Sequence, residues 1–296
     1  MKHKYGFVIQ LLLIMVVVGG ILTGLYLNYG QGEKKSEKLV VVTSFYPMYI
    51  ATSNLLSGCK DIELKNLSEP QTGCLHDYQL TPEDMKLLST ADYFVVNGGG
   101  IESFLSKVAK AYPKLKIINT CEEIELKEDN AHAWMSLQRY MEQVTAIEKG
   151  MSGIHSEDRE IIQENTQKYR NELQALSDST AELTQQTQGK NIILFHEAFG
   201  YLAQDYGMNI SYVMDLDEER QVSAGEVADV IAAVKDNNVA YIFAEELYGK
   251  ALGDVIEKET TAQVLYLNPL VRGAYEKDAY LKGMEDNIAI LKEAFR

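Results

Sequence analysis

From Leu39 to the end of the chain, short apolar runs rich in β-branched and aromatic residues alternate with amphipathic segments. Such alternation is typical of parallel sheets whose strands are connected by helices. It predicts strands at Leu39–Ser44, Ile62–Leu67, Tyr93–Asn97, Leu115–Asn119, Ile192–His196, Ile210–Asp215, Val239–Glu245 and Val264–Asn268. The two groups of runs predict an α/β fold with two (βα)4-type lobes, each built on a parallel sheet. Thr81, Pro82 and the acids after them predict the start of one connecting helix.

A long polar stretch separates the two groups of runs. Residues 156–189 contain no Pro, begin with Ser followed by two acids, and have their only Gly at the last position, Gly189. These are helix start and stop signals, and the sparse apolar residues between them recur at helical spacing. We interpret the stretch as one long, rigid, largely exposed helix between an N-terminal lobe (39–155) and a C-terminal lobe (190–296). A coiled-coil surface is the alternative, although the apolar stripe is too broken for sustained heptads.

The first residues have a different pattern. Residues 5–27 are mostly apolar and follow Lys2 and Lys4, and about 20 helical residues suffice to cross a bilayer. Because no small-x-small cleavage site is evident, residues 1–32 are interpreted as an uncleaved membrane anchor, with a cleaved signal segment as the alternative. The lysines favour a cytoplasmic start, which predicts that the rest lies on the extracytoplasmic face, anchored or secreted. Residues 33–38 then form a tether.

Composition narrows the class of protein. The chain has 296 residues, of which 46% are hydrophobic, with 21 Gly and 5 Pro, as in folded rather than disordered proteins. Lys and Arg total 28 against 43 Asp and Glu, which gives a net charge of −15. Such a surface repels phosphate backbones, so nucleic acid is not expected as a partner and a cation is favoured.

Three of the five histidines lie beside the carboxyl ends of predicted strands. His76 follows the second strand, His132 follows the fourth and His196 ends the fifth, while Asn268 ends the eighth. Ligands of open α/β sheets bind at these ends, and two such edges facing each other form a cleft. The pattern predicts a metal site across the cleft, although a loop histidine is often only a hydrogen-bonding group. The spacing is not that of a local finger motif.

Seven segments resemble the zinc- and manganese-binding solute-binding proteins of ABC transporters. They are Thr43–Tyr49, His76–Pro82, Ala91–Gly98, Asn130–Trp134, Phe195–Tyr201, Tyr241–Glu245 and Leu267–Leu270. The resemblance covers residues 38–296. It implies two α/β lobes joined by a backbone helix, with one divalent ion held between them as cargo and delivered to a membrane permease. It also implies that His76, His132 and His196 are ligands and that the fourth ligand, usually an Asp, falls at Asn268.

At Asn268 this sequence departs from the family pattern. An amide oxygen carries no charge and binds a divalent cation more weakly than a carboxylate does. Either Asn268 still coordinates the ion, or water or Glu245 takes its place. Three imidazoles without a certain carboxylate favour Zn²⁺, whereas Mn²⁺ prefers oxygen donors and is the alternative. Each ligating histidine also needs an acceptor for its other ring N–H, for which Asp77, Glu197 and Glu245 are candidates.

The three cysteines are Cys59, Cys74 and Cys121. Outside the membrane disulfides persist, and a Cys59–Cys74 bridge would close a short loop and tether the segment that carries His76. We expect this pairing; coordination of zinc by a Cys74 thiolate is the rival interpretation. Cys121 is expected to be a small buried residue.

The leading hypothesis is a metal carrier and not an enzyme. A zinc hydrolase with Glu197 or Glu245 as its base is the alternative from another class, since three histidines and a water also form catalytic sites. The sequence has no His-Glu-x-x-His motif, nucleophile elbow or Gly-rich phosphate loop to support it. A surface adhesin with a structural metal is a third hypothesis.

Overall fold

The computed structural model of the protein describes residues 38–69, 71–127, 130–216 and 220–296. Residues 39–296 form one compact unit. The predicted membrane anchor (1–32) and residues 33–37 of the predicted tether lie outside the described residues. Within the described ranges, no helix is both long and apolar enough to cross a membrane.

Strands in the described part of the chain form two four-stranded sheets. They are β1 (Leu39–Thr43), β2 (Ile62–Asn66), β3 (Tyr93–Val96), β4 (Lys116–Asn119), β5 (Asn191–Leu194), β6 (Asn209–Val213), β7 (Tyr241–Ala244) and β8 (Gln263–Tyr266). All eight predicted strands are confirmed, with ends that differ from the prediction by one or two residues at most. The inner strands β1, β3, β5 and β7 are almost entirely buried, as expected where helices cover both faces of a sheet.

The two sheets have the same topology. The strand order is β2-β1-β3-β4 in the first and β6-β5-β7-β8 in the second, and every neighbouring pair is parallel. This confirms the predicted α/β class with two parallel sheets. Because all strands of a sheet point the same way, their carboxyl ends share one edge, and the loops that carry His76, His132 and His196 leave from these edges.

Helices connect the strands and cover the sheets. They are α1 (Tyr46–Leu55), α2 (Pro82–Thr90), α3 (Leu105–Ala111), α4 (Leu137–Gly150), α5 (Ser156–Asp178), α6 (Ala181–Thr187), α7 (Gly200–Asp205), α8 (Ala224–Asp236), α9 (Glu246–Glu259) and α10 (Ala279–Ala294). The predicted start of α2 is confirmed: the Asp84 N–H donates to Thr81 Oγ1 at 3.1 Å, and the Thr81 N–H donates to Asp84 Oδ2 at 2.8 Å. Such a capping box satisfies two backbone groups that a helix start otherwise leaves unpaired.

The long helix between the lobes is interrupted, and the prediction of one continuous helix is wrong. α5 spans 23 residues, about 34 Å at 1.5 Å per residue, and ends at Asp178 before α6 begins. At the break, Ser179 Oγ donates to the Leu176 carbonyl at 2.7 Å and Thr180 Oγ1 donates to the Ser177 carbonyl at 2.6 Å. Side chains that bond nearby carbonyls compete with helix continuation.

One apolar cluster runs from the first sheet, past the buried face of α5 and onto one face of the second sheet. In β5, Ile192 and Leu194 point into this cluster, whereas Ile193 and the next residue after the strand, Phe195, point into a smaller cluster on the opposite face. The alternation follows from the two-residue period of a strand. Since the shared cluster packs both sheets and α5 together, the two halves are held by a common core and not by a bare hinge.

Candidate metal centre

The fold brings His76, His132 and His196 into one cluster. His76 Nε2 lies 3.4 Å from His132 Nε2, and the ring centroids of His132 and His196 are 5.1 Å apart. His132 and His196 are fully buried, while His76 is partly exposed. Each buried histidine immediately precedes a 3₁₀ turn, Ala133–Met135 and Glu197–Phe199, so the chain bends away directly after the ring.

His132 has a fixed orientation and protonation state. Its Nδ1 lies 2.8 Å from Asn130 Oδ1, and because the amide oxygen only accepts, Nδ1 carries the proton. Nε2, the atom nearest His76, is then left with its lone pair. Burial, together with the neighbouring His196 and His76, holds the pKa of His132 well below its usual value. The ring is therefore neutral at pH 7, which is the form that binds a metal ion.

Asn130 joins the two halves of the site. Its Oδ1 also accepts from the backbone N–H of His132 at 2.9 Å, an Asx turn that fixes the loop. Its Nδ2 donates to the Glu197 carbonyl at 2.9 Å, and its own carbonyl accepts from the Tyr201 hydroxyl at 2.8 Å. Sequence reasoning did not identify Asn130 as a functional residue. The available signal was an Asn two residues before a candidate ligand.

His196 has a different environment. It is 1% exposed, and neither of its ring nitrogens has a hydrogen-bond partner. Its Nδ1 lies 3.7 Å from Glu245 Oε2, which is too far for a hydrogen bond. A buried polar group without a partner costs about 1–3 kcal/mol. Such a nitrogen, aimed into a cluster of other imidazoles, fits a metal ligand better than a structural side chain.

The acidic candidates for orienting the histidines do not hydrogen-bond the rings. Glu197 Oε1 lies 3.6 Å from His132 Nδ1. Glu245 is nearly buried and forms an ion pair with Arg272, with 3.1 Å between Oε1 and Nη2. Asp77 is exposed. The prediction that one of these carboxylates accepts the His132 ring N–H is wrong, because Asn130 accepts it at the shorter distance.

Asn268 stabilises its own loop. Its side chain oxygen accepts from the Leu270 N–H at 2.8 Å, and its backbone N–H and carbonyl both bond the Asn287 amide of α10 at 2.8 Å. The residue is exposed. The oxygen that would coordinate a metal ion thus accepts one hydrogen bond within the loop, which engages one of its two lone pairs.

The expected Cys59–Cys74 disulfide is absent, and all three cysteines are thiols. Between Cys59 and Cys74 the chain runs through the five residues of β2, which at about 3.3 Å per residue separate them by the height of the sheet. Cys59 Sγ lies 3.9 Å from the Asp158 carbonyl at the start of α5. Cys121 is buried as predicted. Burial, and to a smaller extent the negative charge of Glu102, raises the pKa of its thiol to about 12.

Cys74 lies in the histidine cluster. Its Sγ is 3.8 Å from His132 Nε2, the same nitrogen that faces His76. Possible donor atoms of Cys74, His132 and His196 all lie within 4.8 Å of one another, as do those of His76, His132 and Glu197. The described residues therefore include two overlapping sets of metal-ligating groups that share His132.

Residues 41–294 match the sequence profile of a family described as zinc-uptake complex component A, periplasmic, or ZnuA. The chain belongs to the ZnuA family. Relatives include the zinc-binding lipoprotein AdcA of Streptococcus pneumoniae, 28% identical over 92% of this chain and 59% of AdcA. The high-affinity zinc uptake system protein ZnuA of Bacillus subtilis is 26% identical over 90% of both chains. The chain thus spans about three fifths of AdcA and nearly all of the Bacillus protein.

Solved structures of ZnuA relatives have the same fold. The Zn(II)-bound ZnuA-like domain of S. pneumoniae AdcA is 29% identical, with a TM-score of 0.76 over 87% of this chain and 99% of that domain. Zn(II)-bound AdcA from the same organism is 30% identical, with a TM-score of 0.75 over 87% of this chain and 58% of that one. The resemblance seen in the sequence motifs is therefore confirmed at the level of family and fold.

Proposed function

We propose that this ZnuA-family chain binds one Zn²⁺ ion as cargo between its two lobes and delivers it to the permease of an ABC transporter. The observation that carries the proposal is the meeting of three imidazoles from separate loops. His132 is held neutral with Nε2 facing His76, and His196 is buried beside it without a hydrogen bond. These three histidines are the proposed ligands.

The distance between ring nitrogens fits zinc. Two nitrogens that each lie about 2.05 Å from a tetrahedral zinc ion are about 3.3 Å apart. His76 Nε2 and His132 Nε2 are 3.4 Å apart. In the empty site a His76 tautomer with its proton on Nε2 would donate to the lone pair of His132 Nε2, and a bound ion would replace that hydrogen bond. Imidazole-rich sites favour Zn²⁺, while Mn²⁺ prefers carboxylate and carbonyl oxygens. A manganese carrier of the same family is the weaker alternative.

Location and partner follow from the family and the charge. The family name describes a periplasmic component of a zinc-uptake complex, and the net charge of −15 suits capture of a cation. We infer that the chain lies on the extracytoplasmic face of the membrane and that residues 5–27 anchor it there. The proposed division is an N-terminal lobe (39–155), a linking segment (156–189) and a C-terminal lobe (190–296).

Catalysis is not part of the proposal. In the hydrolase alternative, Glu197 or Glu245 would act as a general base. Glu245 is paired with Arg272 at 3.1 Å, so one of its carboxylate oxygens is already engaged by a guanidinium. Membership in a family of uptake components further favours a carrier that binds and releases its ion without a chemical step.

The test is a zinc titration of the purified full-length chain, followed by calorimetry, with bound zinc counted by plasma mass spectrometry. We expect one ion per chain, and a chelator should remove it without loss of the circular dichroism of the fold. Unfolding on chelation would favour the structural site of an adhesin. His155→Ala is the matched control, because His155 is exposed before α5 and should not alter binding. Failure of the parent chain to bind zinc would contradict the proposal.

A further inference from the structure

We propose that the thiolate of Cys74 is the fourth ligand, so that the ion is held by three imidazoles and one sulfur. This inference rests on the proposed function and names the chemistry of the cargo, a thiophilic divalent cation. Coordination replaces the S–H bond with a sulfur–metal bond, and the thiol proton leaves to solvent.

The geometry around His132 Nε2 supports a tetrahedral centre. With a Zn–S bond of about 2.3 Å and a Zn–N bond of about 2.05 Å, tetrahedral angles separate the two donor atoms by about 3.6 Å. Cys74 Sγ lies 3.8 Å from His132 Nε2, so both Cys74 and His76 approach the same nitrogen at nearly the distances that one shared ion requires. Donor atoms of Cys74, His132 and His196 all lie within 4.8 Å of one another.

The independent observation is His196. Its two ring nitrogens are buried without hydrogen bonds and belong to the same donor set as Cys74. An ion bound between Cys74 Sγ and His132 Nε2 would give one of these nitrogens the partner it lacks. Three of the four donors, from Cys74, His132 and His196, already lie within 4.8 Å of one another, and His76 approaches this set at His132 Nε2.

Other candidates for the fourth position are engaged elsewhere. Glu245 lies on the Nδ1 side of His196 and is paired with Arg272. Glu197 approaches Nδ1 of His132, the nitrogen that already carries the proton donated to Asn130. The Asn268 oxygen accepts from Leu270. Cys74 instead approaches His132 at Nε2, the nitrogen that keeps its lone pair.

Charge balance points the same way. Three neutral imidazoles leave both positive charges of the ion uncompensated in a buried site, and burying an uncompensated charge is costly. A thiolate supplies one negative charge in direct contact with the metal. It also shifts selectivity, because sulfur donors favour Zn²⁺, Co²⁺ and Cd²⁺ over Mn²⁺.

The experiment uses Co²⁺ as a spectroscopic probe on the full-length chain. The parent protein should show the visible bands of tetrahedral Co²⁺ together with a near-ultraviolet sulfur-to-cobalt charge-transfer band. In Cys74→Ser the charge-transfer band should disappear. Cys59→Ser and Cys121→Ser are the matched controls and should keep it. Zinc affinity of Cys74→Ser should fall by more than the roughly 10- to 100-fold that loss of an outer-shell partner costs.

Alkylation of the parent protein gives a second measurement that does not depend on a variant. Zn²⁺ should protect Cys74 from iodoacetamide and leave the reactivity of Cys59, also partly exposed, unchanged. One bound Co²⁺ without a sulfur band, or equal alkylation of Cys74 with and without zinc, would overturn the inference while the histidine carrier stands. A parent chain that binds neither metal would overturn both proposals.

Discussion

The two halves of the cluster prepare their buried histidines in different ways. His132, from the first half, donates a hydrogen bond from its Nδ1–H to Asn130 Oδ1, with 2.8 Å between the nitrogen and the oxygen. His196, from the second half, is equally buried and has no hydrogen bond at either nitrogen. The first ring is oriented before any ion arrives, whereas the second is held only by packing, including an edge-on contact with the Phe199 ring at 6.0 Å.

This difference teaches how the free energy of the empty site is distributed. A hydrogen bond that fixes a tautomer lowers the cost of ordering a ligand when the metal binds. An unpartnered buried nitrogen raises the free energy of the empty state, and a bound metal ion would relieve it. We therefore expect the first half to determine geometry and the second half to supply much of the gain on binding.

The largest expected effect is loss of zinc binding when either buried histidine is removed. His132→Ala and His196→Ala each delete a donor from a site with few ligands, so calorimetry should detect no specific binding. His155→Ala should bind like the parent. If one of the two variants retained parental affinity, that histidine would not be a ligand and the comparison would fail.

Removing the orienting partner should have a smaller effect. In Asn130→Ala the His132 ring loses its acceptor, and loss of such an outer-shell contact costs about 10- to 100-fold in metal affinity. Calorimetry with a competing chelator measures this change. The control is Asn171→Ala on the exposed surface of α5. An unchanged affinity in Asn130→Ala would mean that packing alone orients His132.

Replacing each buried histidine should change the free energy of unfolding of the metal-free protein in opposite directions. His132→Leu removes a hydrogen bond and should lower the free energy of unfolding by about 1 kcal/mol, whereas His196→Leu removes two unpartnered nitrogens and should raise it by about 1 kcal/mol. Urea unfolding in the presence of a chelator tests both. Changes of the same sign would show that the empty site does not distinguish the two rings.

A negative charge at position 268 should have only a small effect on zinc affinity. In Asn268→Asp the oxygen that accepts from Leu270 is kept. In water, a unit charge and a divalent ion interact by about 1 kcal/mol at about 8 Å, so an exposed carboxylate at that distance or farther should change zinc affinity by less than about fivefold. A larger gain by competition titration would show that this position lies against the metal, as the family pattern implies.

The smallest effect concerns the start of α8, where the second half repeats the capping box of α2. Hydrogen bonds, mainly from Ser223 and to a smaller extent from Arg220, lower the pKa of Glu226 from its usual 4.5 to about 2. Since the folded-state pKa is lowered, this stabilisation is present above pH 4.5 and is lost as pH falls towards 2. Carboxyl NMR should find Glu226 ionised at pH 3, and a midpoint near 4.5 would contradict the cap.

Much of the fold could be predicted because its signals are local. Each buried strand is a compact apolar run, and His196 follows one of them directly, so its position at a sheet edge follows from topology. The break at Ser179 and Thr180 also had a sequence signal, since Ser177, Asp178, Ser179 and Thr180 are consecutive and all have side chains that compete for backbone hydrogen bonds. The helical pattern on both sides of these residues nevertheless favoured the prediction of one continuous helix.

The environment of the cluster was harder to predict because it depends on long-range geometry. Spacing along the chain suggested a Cys59–Cys74 bridge, yet β2 carries the chain across the sheet between them and leaves Cys74 beside His132. Carboxylates were the predicted hydrogen-bond partners of His132, whereas the side-chain amide of Asn130, two residues away, accepts the hydrogen bond from its ring N–H. Neither contact has a distinctive residue pattern.

The bonds of Asn130 have a consequence for release of cargo. One end of its amide holds the His132 ring, and the other donates to the carbonyl of Glu197, the residue that follows His196. Moving the lobes apart would stretch the bond to Glu197, which joins the two halves, and would pull on the same side chain that holds His132 within the first half. Loosening of the imidazole and widening of the cleft would then occur as a single event, so an ion would leave a site whose first ring is already free to turn.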